Sequence, residues 1–322
     1  MWSFIVRRLL IMIPTMFLIS VMCFIITELQ PGSFASQFME NPNISPEHLV
    51  RLNEMLGLDK PPVQRYFIWI KGIITKGDFG YSFAYKRPVG ELIWERMGWT
   101  VSIALLTIIF QWIIAVPAGI YTSMHQYSVS DYILTFVGFL GISVPVFFLA
   151  LVFMWLALQM GVTSIGGLFS VQYIGAPWSW AKLVDLLKHI WLPIVVIGFS
   201  GLAGLMRVMR GNMLDVVNAP FVTSLKARGL EDKVVRRHVI KNAVNPLVSI
   251  AGMQLPEIFS GTIITSIVLN LPTMGPFFYN ALLNHDQYLV MTFLMFIAFM
   301  TQIGNLIADI ALAMLDPRIR IS

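Results

Sequence analysis

Six stretches of this chain are long and apolar enough to be read as membrane-crossing helices, and no other feature limits its fold as sharply. They run from Leu9 to Leu29, Trp99 to Tyr121, Tyr132 to Met160, Ile190 to Met206, Leu247 to Leu269 and Val290 to Leu315. A bilayer core about 30 Å thick takes roughly 20 apolar residues per helix. Lipid offers no partner for main-chain N–H and C=O groups, so such spans must be helical. The expected fold class is therefore all-α, a polytopic membrane protein with six transmembrane helices. Composition agrees: 57% of residues are hydrophobic and only 12% charged, where soluble chains carry about 25% charged residues. The third span holds Pro145 and is expected to tilt or kink. The fourth carries Gly198, Gly201 and Gly204, spaced for close approach of another helix. The first has a longer apolar run than the roughly 7 to 15 residues of a signal peptide, and no small-residue cleavage site follows at once, so it is expected to be retained.

Lysine and arginine set the expected orientation. With the N-terminus inside, segments 1–8, 122–131, 207–246 and 316–322 are cytoplasmic and hold 12 of the 22 basic residues. The longer outer pieces hold 10, eight of them in the long segment 30–98, which weighs little because long loops translocate regardless of charge. The expectation is a multi-pass protein with both termini inside. Its basic balance reflects topology, and no basic-aromatic pattern points to nucleic acid. The single cysteine, Cys23, lies in an apolar run and excludes an internal disulfide. Without clustered His and Cys ligands or a His-Glu-x-x-His motif, no bound metal is expected. The chain has no Gly-x-x-x-x-Gly-Lys-Ser/Thr loop, so any ATP hydrolysis is expected to come from a partner, and no cofactor is expected.

The outer segment 30–98 is too polar to span. Ser45, Pro46 and Glu47 open a helix there, with Leu49, Leu52, Met55 and Leu56 on one face and Gly57 as its stop. A second amphipathic helix is expected from Tyr66 to Ile74 with Phe67, Ile70 and Ile74 on one side, followed by a turn at Gly77-Asp78-Phe79-Gly80. The aromatic residues crowded here, Tyr66, Trp69, Tyr81, Phe83 and Trp94 among them, fit an interfacial belt or a surface for an outer partner.

Segment 207–246 carries Arg207, Arg210, Lys226, Arg228, Lys233, Arg236, Arg237 and Lys241. Asn218 can cap a short helix with Pro220 in its first turn, Phe221 and Leu225 at i, i+4, and Gly229 as its stop. Glu231 and Asp232 start a second helix, which ends in basic residues and is closed by Pro246. A loop this short has little core in which to bury Phe221 and Leu225. The pair suits either a helix lying on lipid headgroups or a plug in a groove of a soluble partner.

Two other function classes are raised by single residues. Gly198-Phe199-Ser200-Gly201 matches a serine-nucleophile turn, but the nearest histidine, His189, is eleven residues from Ser200, about 16 Å along a helix. Glu28, Glu257 and Asp309 fall within or near spans and raise an ion-coupled secondary transporter. Only Glu257 sits near mid-span, and no inverted repeat is evident. A carboxylate facing acyl chains costs about 2.5 to 3.5 kcal/mol. Glu257 is therefore expected to face a translocation pathway or a partner subunit, in a polar stripe with Gln254 and a carbonyl freed by Pro256.

The segment Ala219-Pro220-Phe221-Val222-Thr223-Ser224-Leu225-Lys226-Ala227-Arg228-Gly229-Leu230, followed by Arg237-His238, Lys241-Asn242-Ala243 and Pro246, resembles the coupling loop of a known family. That family is the permease subunits of binding-protein-dependent ABC importers, in the dipeptide and oligopeptide branch. Arg7-Arg8-Leu9-Leu10, Pro31-Gly32, Ser45-Pro46-Glu47, Leu56-Gly57-Leu58-Asp59, Gly77-Asp78-Phe79-Gly80, Arg87-Pro88-Val89 and Leu315-Asp316-Pro317-Arg318 extend the resemblance along the whole chain. The chain departs from the family pattern at Ser33, at Thr223-Ser224-Leu225 and at Ser266. The resemblance implies the type I importer permease fold. It divides the chain into 1–98 (first span and outer segment), a core domain 99–315 with its coupling loop at 207–246, and a tail at 316–322. It implies a non-catalytic subunit of a bacterial or archaeal cell membrane, paired with a second homologous permease, two cytoplasmic ATPase subunits and an extracytoplasmic substrate-binding protein. Asn218 to Gly229 would contact the ATPase. The implied cargo is a peptide, with oligosaccharides, nickel chelates and glutathione as alternatives.

Overall fold

A computed structural model of the chain describes residues 2–31, 60–162 and 165–315. The helix expected after Ser45, the motifs reaching Gly32 and Leu56 to Asp59, and the tail 316–322 lie outside the described residues. The elements run α1 (Trp2–Glu28), α2 (Pro62–Lys76), an antiparallel pair β1 (Tyr81–Ser82) and β2 (Arg87–Pro88), α3 (Val89–Met124), α4 (Val129–Ser143) and α5 (Val146–Gln159). They continue through α6 (Trp180–Val217), α7 (Pro220–Ala227), α8 (Asp232–Gly261), α9 (Ile263–Val268), α10 (Met274–Leu283) and α11 (Gln287–Leu315). The all-α polytopic class holds.

The count of six spans does not hold. Among the described residues four helices are long and apolar enough to cross a membrane, α1, α3, α6 and α11, and α4 with α5 supplies a fifth if that bent pair is one span. The two meet at 111°. Pro145 lacks the N–H that a continuing helix needs and drives the residue before it out of the helical region, so Val144 is extended at φ −106° and ψ 130°. The expected kink is thus a break. The span expected from Leu247 to Leu269 also fails as one helix, because α8 begins at Asp232, runs through Pro246 and stops at Gly261. Thr262, at φ −109° and ψ 10°, separates it from the two turns of α9. Pro246 therefore does not close the second helix of the 207–246 segment. It deletes one main-chain hydrogen bond, while fully buried Ala243 and Leu247 on either side hold the helix by packing.

The chain divides into two compact units. One comprises Val101–Pro272 with α11 from Ile303 onward. In it α6 packs against α4, α5 and α8, α9 lies on α5, and α7 lies on α8. Glycine permits the closest contacts: a Cβ at Gly198 would meet the Phe110 ring at 2.5 Å, and one at Gly119 would meet the Met206 carbonyl oxygen at 2.7 Å. Gly204 differs, with nothing within 4 Å of its Cβ position.

The other unit comprises Val6–Thr100 and Thr273–Gln302. The amphipathic helix expected around Tyr66 exists as α2, but its buried face is Tyr66 and Trp69 with half-buried Ile70 and Ile73, while Phe67 and Ile74 are exposed. The two inward rings have polar tips with partners: the Tyr66 and Ser20 hydroxyls share a hydrogen bond of 2.8 Å, and Trp69 Nε1 donates to the Phe79 carbonyl at 3.2 Å. Such rings bury readily once their polar tips are satisfied, and Phe67, Ile68 and Ile74 are left exposed. Arg65 on α2 pairs with Glu28 at the end of α1. The expected turn forms, with Gly77 and Gly80 at positive φ and Asp78 Oδ1 accepting from the Gly80 N–H at 2.9 Å. Asp286 anchors the hairpin by accepting from Ser82 Oγ at 2.5 Å and from the Ala84 N–H at 3.3 Å. Burial pushes the Asp286 carboxyl above its ordinary pKa, against the opposing pull of these hydrogen bonds.

Candidate functional site

Helix α7 follows α6 after a joint of two residues, Asn218 and Ala219. Asn218 was expected to cap α7, but it ends α6 instead, its Nδ2 donating back to the Leu214 carbonyl at 2.9 Å. Ala219 occupies the cap position without a side-chain bond. Pro220 then opens the helix, where its missing N–H costs nothing. Gly229, at φ +75°, closes it. The Gly229 N–H reaches the Lys226 carbonyl at 2.9 Å and the Leu230 N–H reaches the Leu225 carbonyl at 3.4 Å, the paired bonds of a left-handed helix stop.

The two sides of α7 differ in kind. Val222 is 3% exposed and joins Met209, Met213, Val235, Val239 and Leu247 in the core of its unit, with Leu225 half-buried against the same cluster. Phe221 is 38% exposed. Thr223, Ser224, Lys226, Ala227, Arg228 and Gly229 are exposed as well. The apolar pair expected to form one plug, Phe221 and Leu225, is therefore divided: Leu225 serves the core, and Phe221 stands outside it in a strip with Ser224 and Arg228.

A bidentate ion pair braces the same unit. Arg210 on α6 donates to both carboxylate oxygens of Asp131, in the first turn of α4, at 2.7 and 3.0 Å. Asp131 is 3% exposed and also accepts from the Tyr127 N–H at 3.0 Å. Ser128 caps α4 by accepting from the Asp131 N–H at 3.2 Å.

A cavity of about 450 Å³ opens among α3, α4, α5, α6 and α8. The expected pathway residues Gln254 and Glu257 both line it, Gln254 buried and Glu257 exposed. They share the wall with Gln111, Ser200, Gly201, Gly204 and Thr262 over an otherwise aliphatic lining. Gln254 belongs to a hydrogen-bonded chain. Trp112 Nε1 donates to its Oε1 at 2.8 Å, its Nε2 donates to Gln111 Oε1 at 3.1 Å, and Gln111 Nε2 donates to the Gly198 carbonyl at 3.2 Å. Gln111 and Trp112 were missed in the sequence, although a lone amide inside an apolar run was the available signal. Ser200 Oγ donates to the Ile197 carbonyl at 2.8 Å, and His189 bonds the Asp185 carbonyl oxygen at 2.7 Å, so the two members of the protease motif are engaged separately.

The chain matches two family models that together cover nearly all of it. Residues 115–321 match the binding-protein-dependent transport system inner membrane component, and residues 1–104 match the N-terminal region of such membrane components. It is 32% identical to the oligopeptide transport system permease protein AppB of Bacillus subtilis, over 99% of each chain. It is 29% identical to the dipeptide transport system permease protein DppB of Alkalihalophilus pseudofirmus, over 99% of this chain and all of that one. To DppB of Escherichia coli K12 it is 28% identical over 99% of each. Family matches along the whole chain, on a helical protein with several membrane-length apolar helices, establish that this chain belongs to the inner membrane components of binding-protein-dependent transport systems.

Proposed function

We propose that this chain is the membrane-spanning permease subunit of an ATP-driven importer of peptides. Peptide cargo is supported by the relatives, which are named as oligopeptide and dipeptide permeases. In this reading the chain pairs with a second permease, receives cargo from an extracytoplasmic binding protein and hydrolyses no ATP itself. Two ATPase subunits power transport from the cytoplasmic side. The segment from Asn218 to Gly229 is the ATPase contact, and Gln254 and Glu257 border the cargo path.

One observation carries the coupling role. Helix α7 is fixed to its unit by Val222 and Leu225 on one side and presents Phe221 and Ser224 on the other. A rigidly mounted helix transmits a push, and an exposed aromatic ring gives a partner groove something to grip. In this reading the N-terminus is cytoplasmic, and crossings by α1, α3, the bent pair α4 with α5, and α6 put α7 on the side of the ATPases.

Cysteine placement tests this arrangement, in a background where buried Cys23 is replaced by alanine. A cysteine at Ser224 is expected to resist a membrane-impermeant thiol reagent applied outside and to crosslink to an ATPase subunit, whereas one at exposed Lys86 labels from outside. Outside labelling at Ser224 would reverse the topology and remove the coupling role.

A further inference from the structure

We infer that the cavity around Gln111, Gln254 and Glu257 is a contact site for the main chain of an extended peptide, with Glu257 receiving the ammonium end. The inference rests on the proposed peptide-importer function and deepens it by assigning the chemistry of contact.

A peptide in transit presents one N–H donor and one C=O acceptor per residue whatever its side chains. A primary amide offers both complements at once, two N–H donors and an oxygen with two lone pairs. Gln111 and Gln254 are 4% and 9% exposed, and their mutual bond, the Trp112 donor and the Gly198 acceptor fix both amide planes. Those bonds use one N–H of each amide and one lone pair of each oxygen. The remaining capacity has no use in lipid, where unmet polar groups are costly. Both residues line the cavity, so the capacity is available there.

Charge gives the site a direction. Glu257 is exposed on the cavity wall, and among the described residues the lining contains no lysine, arginine or histidine. A cationic group entering this space meets the Glu257 carboxylate and no cation of the described lining, whereas a carboxylate end is repelled by Glu257. Space is adequate, since about 450 Å³ falls within the roughly 300 to 1,000 Å³ of small-molecule sites. Gly204 leaves the α6 wall open beside the amides. Sequence-tolerant binding through amides, oriented by one ammonium contact, suits a subunit that must pass many different peptides.

The test uses the complete complex in proteoliposomes, with trialanine and N-acetyl-trialanine as cargo. Each rate is read as the ratio of variant to wild type for the same peptide, so the binding protein's own preference cancels. Glu257→Gln is expected to lower uptake of trialanine about tenfold, the scale of one charge-assisted hydrogen bond, and to leave the acetylated peptide nearly unchanged. Gly204→Leu, placed where a Cβ meets nothing, is expected to leave assembly intact and to block both peptides. Gln254→Leu should slow both. Equal effects of Glu257→Gln on the two peptides, a loss of assembled complex explaining the whole decrease, or wild-type uptake by Gly204→Leu would each overturn the inference. If wild type itself shows no ATP-dependent peptide uptake, the proposed function fails instead, and the two failures are told apart by that one control.

Discussion

Phe221→Ala is expected to uncouple the importer: the subunit inserts and assembles with its partner permease, but ATP-driven uptake falls by about 30-fold or more. The estimate follows from the behaviour of aromatic anchors at protein interfaces, whose truncation costs about 2 kcal/mol or more. Phe221 is 38% exposed, so removing its ring opens no cavity of consequence within the chain itself. Val222→Ala provides the contrast. Val222 is 3% exposed within the cluster of Met209, Met213 and Val239, so its truncation should lower thermal stability by about 1 kcal/mol and affect coupling only through that loss. Leu225 is less informative because it serves the core. Uptake by transport assay and melting of the purified subunit in detergent separate the cases, and normal coupling in Phe221→Ala would remove α7 as the contact.

Asp131→Ala is expected to destabilise the unit containing α4 and α6 by about 3 kcal/mol, because it leaves the Arg210 guanidinium partly buried without its carboxylate. The two bonds at 2.7 and 3.0 Å and the 5% exposure of the Asp131 side chain place this pair among the costly ones to break singly. Replacing both partners, Asp131→Leu with Arg210→Met, is expected to recover most of the loss, since no charge is then stranded. Thermal unfolding of the two variants in detergent checks this. Equal destabilisation by the single and double replacements would show that the pair contributes through some other contact.

The parts of this architecture legible in the sequence are those whose causes are local. Pro220 and Gly229 bracket α7 as their backbone chemistry requires, and the turn from Gly77 to Gly80 follows from glycine and aspartate alone. What was not legible depends on distant partners. Pro246 reads as a helix terminator, but buried Ala243 and Leu247 override it. The spacing of Phe221 and Leu225 shows that they lie on adjacent turns, yet it cannot show that Val222 carries Leu225 into the core and leaves Phe221 outside. The bonded face of α2 was misassigned because Ser20 and the Phe79 carbonyl, partners of Tyr66 and Trp69, lie elsewhere in the chain. Gln111 looked like an isolated polar residue in a span, and its partner Gln254 is 143 residues away. Arg210 counts in the sequence only as one basic residue of segment 207–246, and its partner Asp131 lies 79 residues away. The span count failed for a related reason: hydropathy averages over Pro145 and Thr262, whereas the helix axis does not.

The central claim is that this chain moves peptides only when partner ATPases act on it. It is tested most directly by uptake of trialanine into proteoliposomes holding the purified chain and its second permease. The account predicts uptake only when the ATPase subunits and ATP are supplied on the face bearing α7 and the loaded binding protein on the opposite face, with a proton gradient alone giving none. Uptake driven by a proton gradient in the absence of the ATPase subunits would contradict it.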